Sequence, residues 1–114
     1  MRKVLLLALL AGVIATLAAA VPALSKTKSV EVDDNYFVHE CKPRTVTVHK
    51  GDKVEWEWEG NGTHNVTVTK GPVKFHSKNK TSGTYEKRMR KLGTYKIVCT
   101  IHAPGMRMTL KVVK

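Results

Sequence analysis

Residues 54–59 alternate without a break: Val54, Trp56 and Trp58 are apolar, while Glu55, Glu57 and Glu59 are charged. A period of two places successive side chains on opposite faces of an extended strand, so one face of this segment enters a core and the other meets water. Val46 and Val48 repeat the pattern upstream, Lys50, Gly51 and Asp52 turn the chain between the two runs, and Gly60, Asn61 and Gly62 supply the next turn. Beyond the first 25 residues no segment of useful length carries a helical period. Short alternating runs punctuated by Gly, Pro, Asn and Asp predict an all-β domain, an antiparallel sandwich or barrel.

The start of the chain reads differently. Arg2 and Lys3 precede an apolar stretch over residues 4–20, and small residues follow at Ala18, Ala19, Ala20 and Ala23. This is the layout of a secretory signal peptide, assigned to residues 1–25, with a single domain over residues 26–114. An uncleaved anchor is the competing reading, but residues 4–24 are only just long enough to span a bilayer. The expected location is secreted, periplasmic or on the outer face of the cell membrane. The remaining 89 residues form a modest core that a metal would help to hold.

The formal net charge is +11, and +9 without Arg2 and Lys3. Lys87, Arg88, Arg90 and Lys91 form the one dense cluster. Such a cluster is either a solvated strand face or a means of steering towards an acidic protein or an anionic membrane surface. Nucleic acid is not an expected partner, because no binding motif accompanies the charge. Two cysteines, Cys41 and Cys99, in an oxidising compartment predict a disulfide by default, yet the surroundings of Cys99 argue for another role.

Parity carries that argument. In the run 94–100, Lys96 faces water, so Tyr95, Ile97 and Cys99 share the inner face. In the run 63–69, His64 falls in register with Val66 and Val68. In the last run, Arg107, Thr109 and Lys111 mark the outside, which leaves Met106, Met108, Leu110 and Val112 inside. Taken singly, each inward His, Cys or Met is ordinary core material. Cys99-Thr-Ile-His-Ala-Pro-Gly-Met106 is not ordinary, since it packs three potential metal ligands into eight residues. A thiolate and two imidazoles near one plane, with a thioether at longer range, suit copper in both oxidation states. Zinc is the rival metal, but structural zinc sites bring two or more cysteines at short spacing.

The segment Gly93-Thr-Tyr-Lys-Ile-Val-Cys-Thr-Ile-His-Ala-Pro-Gly-Met106 resembles the copper loop of the plastocyanin-like cupredoxins, the type 1 blue copper proteins. Thr63-His64-Asn65-Val66 resembles the upstream ligand segment, and His49-Lys50-Gly51-Asp52 the usual turn before an apolar strand. The resemblance implies a Greek-key β-sandwich of seven to eight strands with one copper at one end. His64, Cys99 and His102 would be the strong ligands and Met106 the weak axial one. Asn65 would hydrogen-bond across to the cysteine loop, where Thr100 stands. Asn65 also begins a glycosylation sequon, a reading set aside for a residue beside a buried ligand. Three residues separate His102 from Met106, against four in typical plastocyanins and two in amicyanins, so the subfamily is open. Met108 is read as core.

The resemblance further implies outer-sphere transfer of single electrons through His102, which would reach the surface in an apolar patch with Ala103, Pro104 and Pro72. The expected partner is a redox protein with an acidic docking surface, met by a monomer. The alternative is a copper carrier or delivery protein with no redox role. No enzyme activity is expected: His39, His49 and His76 form no His-x-His pair and read as surface residues. The role of Cys41 is open between a quiet thiol, an intermolecular partner and an oxidation-prone companion of Cys99.

Overall fold

In the computed structural model, which describes residues 24–38 and 44–114, the alternation at residues 54–59 becomes the strand at the heart of one sheet. The elements are β1 (Thr27–Asp33), β2 (Tyr36–Val38), β3 (Thr45–His49), β4 (Lys53–Trp58), β5 (Thr67–Lys70), β6 (Thr84–Arg88), β7 (Gly93–Val98) and β8 (Arg107–Val113). The proposed signal peptide, His39 and Cys41 lie outside the described residues, save for Leu24 and Ser25 at the end of the former.

Two four-stranded sheets form, with orders β2-β1-β4-β6 and β3-β8-β7-β5. Only β1–β2 and β7–β8 are consecutive strands paired within one sheet, so the other connections pass between sheets. That is the expected all-β Greek-key sandwich, but it is not purely antiparallel. β1 runs parallel to β4, and β3 parallel to β8. Neither pair is consecutive in the chain, so no tight hairpin imposes the antiparallel direction on it, and the turn at residues 50–52 carries the chain from β3 in one sheet to β4 in the other.

The faces follow side-chain parity. Val54, Trp56 and Trp58 are buried between the sheets while Glu55 and Glu57 point out. Tyr95 and Ile97 of β7 and Met108, Leu110 and Val112 of β8 face them from the second sheet. Each such side chain contributes about 1.5–3 kcal/mol when fully buried. The Trp56 indole N–H donates to the Met108 sulfur at 3.4 Å, the one polar group that this ring brings into the core.

Asp52 holds the crossing turn. Its carboxylate accepts the backbone N–H of Lys26 at 2.9 Å and of His49 at 2.8 Å, and its carbonyl accepts from Met89 at 2.8 Å. One residue thus ties the turn to the chain leading into β1 and to the exit from β6. The two N–H donors, Lys26 before His49, hold the Asp52 carboxyl below its ordinary value of 3.8. A lowered folded-state value means that the stabilisation is complete well above pH 3.8 and fades as pH falls towards the folded value. Asp52→Asn is expected to cost about 1–3 kcal/mol at neutral pH, with the gap from wild type narrowing below pH 3.8. Urea unfolding at several pH values checks this, and a gap that does not narrow in acid counts against it.

Candidate metal centre

The β7–β8 hairpin is what brings a thiol and a thioether to one end of the sandwich. Its ladder ends at the Val98–Arg107 pair. The next rung is Cys99 N–H to Met106 carbonyl at 3.0 Å, so the two sulfur residues stand opposite each other at the mouth of the turn. Inside the turn, His102 N–H donates to the Cys99 carbonyl at 3.1 Å and Met106 N–H to the His102 carbonyl at 3.2 Å. These bonds curl His102 back over Cys99.

His64 arrives from the β4–β5 connection. Its backbone makes a reciprocal pair with Lys80, at 3.0 and 2.9 Å, which pins it from the far side. The regular strand starts only at Thr67, and the strict alternation expected for residues 63–69 fails at Asn65, which is buried like its neighbours. Asn65 turns inward because its amide is fully used. Oδ1 accepts Thr100 N–H at 3.1 Å and the Thr67 hydroxyl at 2.8 Å. Nδ2 donates to Thr100 Oγ1 and Asn79 Oδ1, both at 2.8 Å. Asn65 backbone N–H also points at the Cys99 sulfur, at 3.5 Å. A buried amide so engaged has no room for a glycan.

The ring nitrogens and the thiol converge. Cys99 Sγ lies 3.9 Å from His64 Nδ1 and 3.7 Å from His102 Nδ1, and all three donor atoms lie within 4.8 Å of one another. Donors about 2.0–2.3 Å from one ion in a trigonal plane stand roughly 3.5–4 Å apart, so these residues fit a single type 1 copper ion. Cys99 is a free, buried thiol, which answers the default disulfide expectation for this residue. Met106 is buried too, at 1% exposure. Met108, the other sulfur on that face, is engaged by Trp56 in the core.

Sequence reasoning missed Asp34. This residue, in the β1–β2 turn, places Oδ1 3.0 Å from His64 Nε2. Hydrogen bonding from His64, then from the N–H groups of Gly62 and Asn61, holds its carboxyl down to about 2. No local pattern marks Asp34, since the partner is thirty residues away.

Around the centre the surface is uneven. His102 is half-buried, while Ile101, at 47% exposure, and Ala103 and Pro104 surround it in the open. Pro72 does not join them. It packs over Gly93 at the start of β7, whereas Cys99 follows that strand's other end, about 20 Å away at 3.3 Å per residue. The Lys87–Lys91 cluster sits at that same remote end, beyond the Lys53–Arg88 pair. Arg88 is also structural, donating to the Gly51 carbonyl at 2.7 Å. Beside the His102 turn stands Arg107, which donates to the Pro104 carbonyl at 3.4 Å. The outer face of the β4 sheet is acidic: a hydrogen bond with Glu86 raises the Glu55 carboxyl, and the charge of Glu57 raises Glu59.

No curated protein matches the chain in sequence. The sequence profile of the copper binding proteins of the plastocyanin/azurin family matches residues 26–113. Among solved structures the fold is similar to the Cu-containing nitrite reductase of Thermus scotoductus SA-01, at 23% identity and a TM-score of 0.64 over 89% of this chain, which spans only 25% of that enzyme's length. An oxidised amicyanin variant matches at 24% identity and a TM-score of 0.62, covering 75% of this chain and 81% of its own. A purple cupredoxin from Nitrosopumilus maritimus matches at 20% identity and a TM-score of 0.62, covering 75% and 98%. Such identities speak to the fold alone, and the profile carries the family. Because that profile runs from the first strand through the last, and the donors at the end of the sandwich suit the metal, this chain belongs to the plastocyanin/azurin family of copper-binding proteins and takes copper as its cofactor.

Proposed function

We propose that the protein is a secreted carrier of single electrons, with His64, Cys99 and His102 as the strong copper ligands and Met106 as the weak axial one. When bound, copper supplies a one-electron couple, Cu(II) to Cu(I). The chain's work is to keep the donors where they stand in both states. The Cys99–Met106 rung, the His64–Lys80 pair and the Asn65 clasp supply that rigidity.

The observation that carries the reading is the asymmetry of the two rings. His64 is sealed at 1% exposure, while His102 is half-open within the patch of Ile101, Ala103 and Pro104. An electron can leave through that ring into a partner seated on the patch. A contact patch this small favours brief docking and rapid release. Arg107 at its edge favours an acidic partner. The likeness to nitrite reductase covers a quarter of that chain, and among the described residues the only group of three metal-ligating side chains is His64, Cys99 and His102. That favours a carrier over an enzyme.

Adding Cu(II) to the protein is expected to produce one equivalent of an intense visible band and a reversible voltammogram, with the band abolished in Cys99→Ala. A band that survives in Cys99→Ala removes the ligand assignment. Copper bound without a reversible couple favours carriage or delivery instead.

Association with an acidic redox partner is expected to slow as ionic strength rises from 0.01 to 0.15 M, where the screening length falls from about 30 to about 8 Å. Arg107→Glu slows it further at low salt, and Lys91→Glu, at the remote end, has a smaller effect. Stopped-flow rates that respond equally to both variants would place the docking site elsewhere.

A further inference from the structure

The sealed histidine of the centre has a second contact on its far side. Nδ1 of His64 faces the Cys99 sulfur at 3.9 Å, and Nε2 lies 3.0 Å from Asp34 Oδ1. A carboxylate only accepts, so this pairing places the ring proton on Nε2 and leaves the Nδ1 lone pair free. That is the tautomer a metal on the Cys99 side requires.

We propose that Asp34 is a positioning residue of the copper centre, which holds His64 in that tautomer and biases the bound ion towards its oxidised state. The inference rests on the copper reading given above. A carboxylate hydrogen-bonded to the imidazole N–H makes the ring a stronger donor and favours the ion of higher charge.

The surrounding chain is shaped to this contact. Asp34 Oδ1 also accepts Gly62 N–H at 2.8 Å, and Oδ2 accepts Asn61 N–H at 3.2 Å, so the turn at residues 60–62 wraps the carboxylate. A Cβ at position 60 would run into Asp34 Oδ1 and stand 2.8 Å from the Asp34 backbone nitrogen. At position 62 it would stand 3.1 Å from both Asp34 Oδ1 and His64 Nε2. The two glycines of Gly60-Asn61-Gly62 therefore let the β1–β2 turn approach the ligand. Asp33, the adjacent carboxylate, bonds Asp34 N–H and the Tyr36 hydroxyl and serves as a control of equal charge.

The experiment compares wild type, Asp34→Asn and Asp33→Asn, each loaded with copper. Expected is that all three keep the visible band, while Asp34→Asn loses about tenfold in Cu(II) affinity with a smaller loss for Cu(I). The one-electron potential rises by up to about 59 mV, the value for a full tenfold differential, and Asp33→Asn stays near wild type. Equal potentials in the two variants overturn the proposal and leave the ligand assignment standing. A wild type without the band removes the copper reading itself. Should Asp34→Asn not fold, nitrogen-15 NMR of the metal-free wild-type protein decides: a lone ring proton on His64 Nε2 supports the proposal, and one on Nδ1 overturns it.

Discussion

Two chain segments with no covalent tie nearby must meet for this centre to exist, and the Asn65 side chain is what joins them. It sits beside His64 and reaches both the backbone N–H and the hydroxyl of Thr100, beside Cys99. Its four side-chain bonds, to Thr67, Asn79 and twice to Thr100, all lie at 3.1 Å or less. A buried amide left half-satisfied costs more than the same bonds contribute when made. The clasp therefore selects one relative placement of the two donors rather than merely favouring it. The Cys99–Met106 rung then extends that placement to the second sulfur residue.

The clasp works because the sandwich brings its own ends to it. Both sheets send chain to the same end: the β4–β5 connection from one, the β7–β8 turn from the other. Asp52 performs the complementary task at the opposite end, where the chain crosses from β3 to β4. The parallel pairings β1–β4 and β3–β8 join strands that no hairpin connects. Packing between the crossings is carried by the inner faces, where Trp56 finds a soft acceptor in Met108 and so removes that sulfur from competition for the metal end.

Charge is distributed along the molecule rather than spread over it. The dense basic cluster and Pro72 lie at the end away from the centre, the outward face of the β4 sheet is acidic, and Arg107 beside the His102 turn and Lys80 beside His64 carry the positive charge near the centre. Over the length of a strand, screening at physiological salt removes most of the remote contribution.

Much of this was determined locally. Alternation with a period of two decides which side chains face inward, because neighbouring residues on a strand must point oppositely. Residues 54–59, 94–99 and 106–112 therefore announce their faces, and with them the inward Cys99 and Met106, from sequence alone. The compact spacing of Cys99, His102 and Met106 likewise speaks for itself, since one short turn must bring them together. Only the tertiary structure decided which strands run parallel, that Pro72 sits at the other end from His102, that Asn65 breaks the alternation to turn inward, and that Asp34 meets His64. Those outcomes depend on contacts between residues far apart in the chain, and no short-range periodicity carries information about which distant turn will be folded against a given ring.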